Sequence, residues 1–528
     1  MLRFRVQPEV RLVASFARPI DQTVAAARSC YAAKGLVSAE EVGGDGLEGE
    51  ARDEARRKRD ELARELYGAG HHTIFQHAHF QFALDRVSRH AVWSFFHAHP
   101  FYNSEQVSQR YVKVGRGAAA VPELGGEAQE VYERTLGRME EAYHALTAAL
   151  AAPAAERFFA LFPARGRRPE EWRIDVRRRA QEAARYVLPV AAWARLYHTI
   201  SGLTLLRYAR MAAQPDVPSE TRLVVEAMLA EVAKLDPAFA ALAEKPLPTD
   251  AHPESAALAA VGGLVDPRRA AAFAAEFDAE LEGKVSRLVS FDPRAEQVVA
   301  QAARDALGMP RSLLSDDDAI ALAADPARNP LLGESLNVGT LGRTTRALHH
   351  ASYTFRKKLS HSADSQDQRH RMTPAARPAL LAHLLDAPDV VAPRIVVETD
   401  EARRIFDEAT AAAWDGIARL RALGAPDEAL VYLLPNAAAV RFTESSDFAA
   451  LRHKHAMRLC FNAQEEIWRA SLDEARQVAA VHPRLGALLL PPCAARARAG
   501  ARPICPEGRR YCGVPAWKLE LSRYERTL

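Results

Sequence analysis

The chain begins again just past its middle, which limits the folds open to it. Arg287-Leu288-Val289 repeats Arg11-Leu12-Val13, and Ala302-Ala303-Arg304 repeats Ala26-Ala27-Arg28, both 287 − 11 = 276 residues on. His350-Ala351-Ser352-Tyr353-Thr354-Phe355 answers His77-Ala78-His79-Phe80-Gln81-Phe82 at 350 − 77 = 273, and Ser360 falls opposite Ser88 at 360 − 88 = 272. Leu434-Pro435 then answers Leu188-Pro189 at 435 − 189 = 246. Landmarks in one order with shrinking offsets are what small deletions in a duplicate leave, so two similar cores are expected in place of one large one.

Hydrophobic periodicity fills in the unit. Strands are expected over 11–16 and 77–82, and helices over 19–33, 54–67, 87–96 (ending near Pro100), 127–150, 200–211 and 221–235. A further helix is expected over 173–194, interrupted at Pro189. The acidic, Gly-rich stretch 36–52 reads as a mobile loop. The fold class expected is α+β, rich in helix, as two tandem copies of one unit. Its parts are a first repeat over 1–246, a linker and helical spacer over 247–282, a second and more diverged repeat over 283–480, and a Cys-containing tail over 481–528.

With 70 Lys+Arg against 67 Asp+Glu the formal net charge is +3, which gives no support for a general nucleic-acid or membrane surface, so any anion site is local. No apolar run reaches the roughly 20 residues a bilayer crossing needs, and MLRFRVQPEV lacks the apolar core of a secretory signal, so a cytoplasmic location is the expectation. Cys30, Cys460, Cys493, Cys505 and Cys512 are not spaced as a disulfide framework. The last three, with Cys460 or His482, are zinc-ligand types, but no C-x-x-C pair occurs; reduced thiols and no metal are expected.

Reactive side chains crowd into 71–111, which holds His71, His72, His77, His79, His90, His97 and His99 and closes on Ser108-Gln109-Arg110-Tyr111. A single histidine among apolar residues is usually a core residue, whereas seven together suggest a site. The stretch resembles the signature of the flavin-dependent thymidylate synthases, in which Arg-His-Arg is followed by a loop ending in Ser-x-Arg-Tyr. His77 matches the histidine of that family's preceding Phe-Glu-His, but the triplet has become His97-Ala98-His99. At the same register the second copy reads Arg369-His370-Arg371, while Leu380 and Ala382 stand for Ser108 and Arg110. Further on, Arg185 precedes Leu188-Pro189, and Arg458 and Ala463-Gln464-Glu465-Glu466-Ile467 keep the family's spacing after Leu434-Pro435. The family's Asn-Ala-Arg is Ser201-Gly202-Leu203 in one copy and Asp447-Phe448-Ala449 in the other. Without the resemblance, Arg452, Lys454 and Arg458 read as a solvated helix face.

What the resemblance implies is an FAD-dependent thymidylate synthase, a methyltransferase that turns dUMP into dTMP with methylenetetrahydrofolate and NADPH as co-substrates. It assigns Ser108, Gln109 and Arg110 to the nucleotide, Arg369, His370 and Arg371 to FAD, and Arg458, Arg185 and His77 to catalysis. The family forms homotetramers with shared sites, so two half-complete copies imply a homodimer imitating a tetramer, with grips from different copies pooled. The other implied outcome is an inactive or repurposed paralogue that binds a nucleotide or flavin without methylation. A metal-binding interaction protein is a third class, marked by stoichiometric zinc and no nucleotide affinity.

Overall fold

The central strands His79–Ser88, Trp193–Ser201 and Ser352–Ser360 alternate buried and less buried side chains over most of their length, the period-two pattern that makes one face of a sheet a core. Strands β1 (Glu9–Ser15), β2 (His79–Ser88), β3 (Tyr102–Gln106) and β4 (Trp193–Ser201) form an antiparallel sheet in the order β1-β2-β4-β3. Strands β5 (Ser286–Phe291), β6 (Ser352–Ser360), β7 (Ala375–Ala376) and β8 (Ala439–Asp447) form a second in the matching order β5-β6-β8-β7. These come from a computed structural model, which describes residues 1–98 and 101–526. The duplicated α+β fold is therefore present as two sheets of one topology.

Two units emerge, and they do not follow the halves of the chain. One comprises Met1–Gly137, Pro189–Asp266 and Asp415–Leu434; the other comprises Arg138–Leu188, Pro267–Trp414 and Pro435–Leu528. Each repeat thus gives up the segment leading into its Leu-Pro. In the first unit Tyr432 Oη donates to Glu220 (3.2 Å), whose carboxylate also accepts from Ser88 N (2.7 Å) and Ser88 Oγ. In the second unit Tyr186 Oη donates to Glu466 (2.6 Å), which accepts from Ser360 N (2.5 Å) and Ser360 Oγ (2.6 Å). Each serine then caps the helix after its strand, accepting from Ala91 N and Ala363 N at 3.0 Å. Buried carboxylates with three donors are satisfied acceptors, so these triads fix the exchanged segments. The expected spacer is also structural: helix Pro267–Glu280 belongs to the second unit, where Asp278 takes Arg441 through Nε (2.8 Å) and Nη2 (2.7 Å) and Lys358 Nζ (2.7 Å).

The shrinking offset has local causes. In β2 the register shifts between Leu84 and Val87, and Arg86 sits at φ 56°, so one extra residue is bulged out; β6 against β8 has no shift. That moves the offset from 273 at Lys357 to 272 at Ser360. The expected helix over 87–96 is α-helical only over Arg89–Ala91 and then forms a π turn, Val92–Phe96, whereas His361–Asp367 is α-helical throughout. A π turn holds one added residue. Accordingly Ala375 pairs with Glu444 as Ser104 pairs with His198, at 375 − 104 = 271. The expected correspondence moves by one: Ala379 and Leu381, not Leu380 and Ala382, answer Ser108 and Arg110, and Arg369 falls opposite Ala98 (369 − 271 = 98). His99 and Pro100, including the expected helix end, lie outside the described residues.

Two further expectations are corrected. The helix expected over 173–194 ends as Arg173–Ala184 and a 3-10 turn Arg185–Val187, and Trp193 opens β4, where Ala194, Leu196, His198 and Ile200 point inward. The loop expected over 36–52 contains helix Ala39–Gly43, capped by Ser38 Oγ and closed by Gly44 at φ 73°.

The two cores differ in chemistry. In the first unit Leu84, His198, Tyr208 and Met228 are buried among Phe95, Phe96 and Tyr102. Their counterparts in the second unit are Lys357, Glu444, Lys454 and Glu474, all buried, with Asp367 beside them. Lys357 Nζ meets Asp367 (3.1 Å), Glu444 (3.0 Å) and Glu474 (2.5 Å), and Lys454 Nζ meets Asp367 (2.6 Å) and Glu444 (2.5 Å). Lys454 is thus no part of a solvated face.

Burial pushes His198 and His90 down to about 3. Folded-state values below the ordinary 6.5 give stability that is present above pH 6.5 and lost as pH falls toward the folded value. Each costs up to about 2 kcal/mol at pH 5. Urea unfolding at pH 7 and pH 5 is expected to show a smaller drop for His198→Phe than for wild type; an equal drop contradicts a buried neutral ring.

Candidate functional site

A cavity of about 380 Å³ in the second unit is walled by Arg369, His370, Arg371, Met372 and Thr373, by Ala449, Ala450, Arg452 and His453, and by Asn337, Thr340, Thr345, Leu348 and His349. Its size falls within the range of small-molecule pockets. Three local structures bring these residues together. Helix His361–Asp367 ends just before the Arg369 turn, and Thr373 Oγ1 donates back to His370 O (2.6 Å). Helix Phe448–Arg458 starts at Asp447, which accepts from Ala450 N (2.8 Å) as an N-cap and also holds His349 Nδ1 (3.0 Å). The residue at the family's Asn position is therefore a cap and a histidine anchor. The 3-10 turns Val338–Leu341 and Thr345–His350 close the third side.

Arg458 is tied to this wall. Its Nε donates to His370 Nε2 (2.9 Å) and its Nη2 to Gln366 O (2.8 Å). Burial first, then the charges of Arg458 and Lys454, hold His370 well below its ordinary value, so it is a neutral acceptor at physiological pH. Burial likewise lowers His453, helped by Arg452 and Arg458. The cavity thus presents arginines and the lowered imidazoles of His370 and His453 beside the apolar Leu348, Met372 and Ala449. Such a lining suits an anionic ligand that also carries a flat apolar part.

The remaining candidates divide between the units. Arg185 belongs to the second unit and is buried; its carbonyl accepts from Asn436 Nδ2 (3.0 Å), and it does not line the cavity. His77, Ser108, Gln109 and Arg110 belong to the first unit. His77 ends the 3-10 turn His72–His77 and is exposed. Ser108 Oγ accepts from Arg110 N (3.2 Å), Tyr111 N donates to Ser108 O (3.1 Å), and the Arg110 guanidinium lies 5.5 Å from the Tyr111 ring centre. Arg89 pins this loop through Gln106 Oε1 (3.1 Å) and Val107 O (2.6 Å). His97 is a core residue, stacked on Tyr102 at 5.2 Å and 11°. A broader hollow of about 910 Å³ in the first unit, along β1, β2 and β4, contains none of the candidates.

Sequence reasoning missed Asn337, Thr340, Thr345, His349, Arg452 and His453 as cavity walls. The signal available was position: His349 precedes the repeated His350, and Arg452 and His453 lie on the same helix as Arg458, 458 − 452 = 6 and 458 − 453 = 5 residues before it. Gln464 and Glu466, noted as a family match, hold the frame. Gln464 Oε1 caps the next helix at Ile467 N (3.1 Å), and Glu466 anchors Ser360 and Tyr186.

Two copies of one sheet-and-helix unit, one of them with an arginine- and histidine-walled cavity, define a duplicated α+β protein. The sequence model of the thymidylate synthase complementing protein matches residues 11–238 and again 287–484, so the chain belongs to that family, in two copies. A flavin-dependent thymidylate synthase of Geobacter sulfurreducens is 30% identical over 179 residues, 33% of this chain and 74% of that one. One of Clostridium tetani is 25% identical over 232 residues, 43% of this chain and 84% of that one. The crystal structure of the UMP/dUMP methylase PolB from Streptomyces cacaoi bound with 5-Br dUMP is similar at 21% identity and a TM-score of 0.28, covering 45% of this chain and 95% of that one. Among the described residues no helix is long and apolar enough to cross a membrane.

Proposed function

We propose that the chain binds FAD in the Arg369-His370-Arg371 cavity and methylates dUMP to dTMP, with methylenetetrahydrofolate as carbon source and NADPH as reductant. The observation that carries this reading is the cavity itself, where the triplet, His349, Arg452 and His453 converge. The fit is chemical: guanidinium groups suit a pyrophosphate, and the apolar wall suits a flat ring. When bound, reduced flavin supplies hydride. The side chains then bind and orient. Arg369 and Arg371 hold the anionic part, neutral His370 is kept in place by Arg458, and the arginines offer charge to a uracil ring as it becomes negative. Ser108, Gln109 and Arg110 take the role of nucleotide grip, Arg185 and Arg458 that of polarising cations, and His77 that of a catalytic residue near flavin and folate. A homodimer that imitates a tetramer is the assembly that goes with two incomplete copies.

A second reading rests on a specific observation. Arg458 is already engaged by His370 and Gln366, and Ala449 stands where the family has an arginine. A paralogue that binds flavin or nucleotide without methylation follows from that. The test is dTMP formation from dUMP by purified protein supplied with FAD, NADPH and methylenetetrahydrofolate, backed by growth of a synthase-deficient host without thymidine. Arg110→Ala and Arg369→Ala are each expected to cut turnover by at least about 100-fold. Bound flavin without dTMP favours the second reading, and neither flavin nor dTMP defeats both.

A further inference from the structure

Four of the five cysteines converge. Cys460, from the turn after helix Phe448–Arg458, and Cys493, Cys505 and Cys512, from the tail, line one small hollow of about 20 Å³ in the second unit, together with Phe461 and Tyr511. That volume is about what one water-sized body occupies. All four thiols are free, and all are withdrawn from solvent more than Cys30, which is exposed.

The surrounding chain needs a tie. Beyond helix Pro492–Arg498 the described residues of the tail form only three-residue 3-10 turns, Gly508–Arg510, Ala516–Lys518 and Leu521–Arg523. It nevertheless packs in a defined way, with Asn462 Nδ2 donating to Arg510 O (2.6 Å). Irregular segments with little core of their own are commonly held by a disulfide or a metal. Four sulfur ligands around a one-atom hollow match a closed tetrahedral site, for which thiolates select zinc. Among the described residues no three His, Cys, Asp or Glu side chains stand so that they could hold a metal ion as they are, so the site proposed below requires the thiols to turn toward a common ion.

We propose that Cys460, Cys493, Cys505 and Cys512 together bind one structural zinc ion, which clasps the tail to the turn directly after Arg458. Binding releases the thiol protons and leaves no open coordination position, so the ion has no part in turnover. The proposal is independent of what the large cavity binds.

The full-length protein is purified without chelator, dialysed against metal-free buffer and analysed by inductively coupled plasma mass spectrometry, before and after incubation with zinc chloride. About one zinc per chain is expected, the stoichiometry of a four-thiolate site. Native thiol titration is expected to find Cys30 alone reacting rapidly, with four more thiols appearing once zinc is stripped. Stripping is expected to speed tryptic cleavage of the Arg-rich tail by at least about tenfold, because a released tail opens locally. Cys30→Ser keeps the metal, and Cys505→Ser/Cys512→Ser loses it. Less than about 0.2 zinc per chain after incubation, well below one ion per site, overturns the proposal even if the variants fail to fold. So do disulfides among the four cysteines or zinc retained by the double variant.

Discussion

Replacing Lys357 with leucine, the residue at the same place in the first repeat, is expected to destabilise the protein by about 3–5 kcal/mol, the range for removing one partner from a buried ionic group. Lys357 is fully buried, and burial alone would lower its affinity for a proton. Asp367, Glu444 and Glu474 outweigh that effect and hold it well above its ordinary value, so it is a cation at any working pH. Its removal leaves three carboxylates to one ammonium, that of Lys454. Burial, and then Asp367, already push Glu444 up to about 7, so it takes up a proton first. Lys357→Leu/Glu444→Gln is therefore expected to be more stable than the sum of the single effects, by about 1–3 kcal/mol of coupling. Urea denaturation of the two single variants and the double checks this. A near-neutral Lys357→Leu contradicts the view that the second core depends on its charges.

The second large effect concerns Arg458. Arg458→Ala removes the donors to His370 Nε2 and Gln366 O and the cation that, after burial, most lowers the His370 proton affinity. Turnover is expected to fall by about 100-fold or more, the scale of losing a charged group aimed at a reacting site. A merely structural role does not predict the accompanying signature. With the neighbouring charge gone, the folded-state value of His370 rises, while burial and Lys454 still hold it below the ordinary 6.5, so any pH dependence of ligand affinity sets in at higher pH in the variant than in wild type. Ligand titrations down to pH 4.5 compare the two, and an onset in the variant at the same or lower pH than in wild type contradicts the assigned environment.

Much of the fold was legible because the duplication was. Ser88 and Ser360 were placed opposite each other from sequence, and each caps a helix and meets a buried glutamate. What stayed hidden was geometry that adds a residue without a compositional mark: the bulge at Arg86 was absorbed in the offset at Ser88, but the π turn Val92–Phe96 displaced the alignment of the triplet by one. Strand β4 was hidden by continuity, since Ala191-Ala192-Trp193 extends the helical pattern past Pro189, although alternation at Ala194, Leu196, His198 and Ile200 was there to read. Charged residues at core positions defeat periodicity altogether, and Lys454 looks solvated until Glu444 and Asp367 are seen against it. The cysteines converge only in three dimensions, through a turn and a tail with no paired spacing.

For the candidate site, Arg369-His370-Arg371 was legible by its letters, with the register one residue off, and Arg458 by its spacing after Leu434-Pro435; Arg458 meets His370. The lining supplied by Asn337, Thr340 and His349 comes from turns whose sequence carries no periodic signal.

The most direct test is the stoichiometry of FAD binding to the purified, flavin-stripped protein, followed by fluorescence quenching. The expected result is saturation at one FAD per chain, one for each intact triplet. Arg369→Ala and Arg371→Ala should weaken it by at least about 100-fold, as expected for a lost phosphate contact, and His97→Ala should leave the stoichiometry unchanged. Two FAD per chain, no FAD, or binding that survives both arginine variants would contradict a single cavity kept by the second repeat.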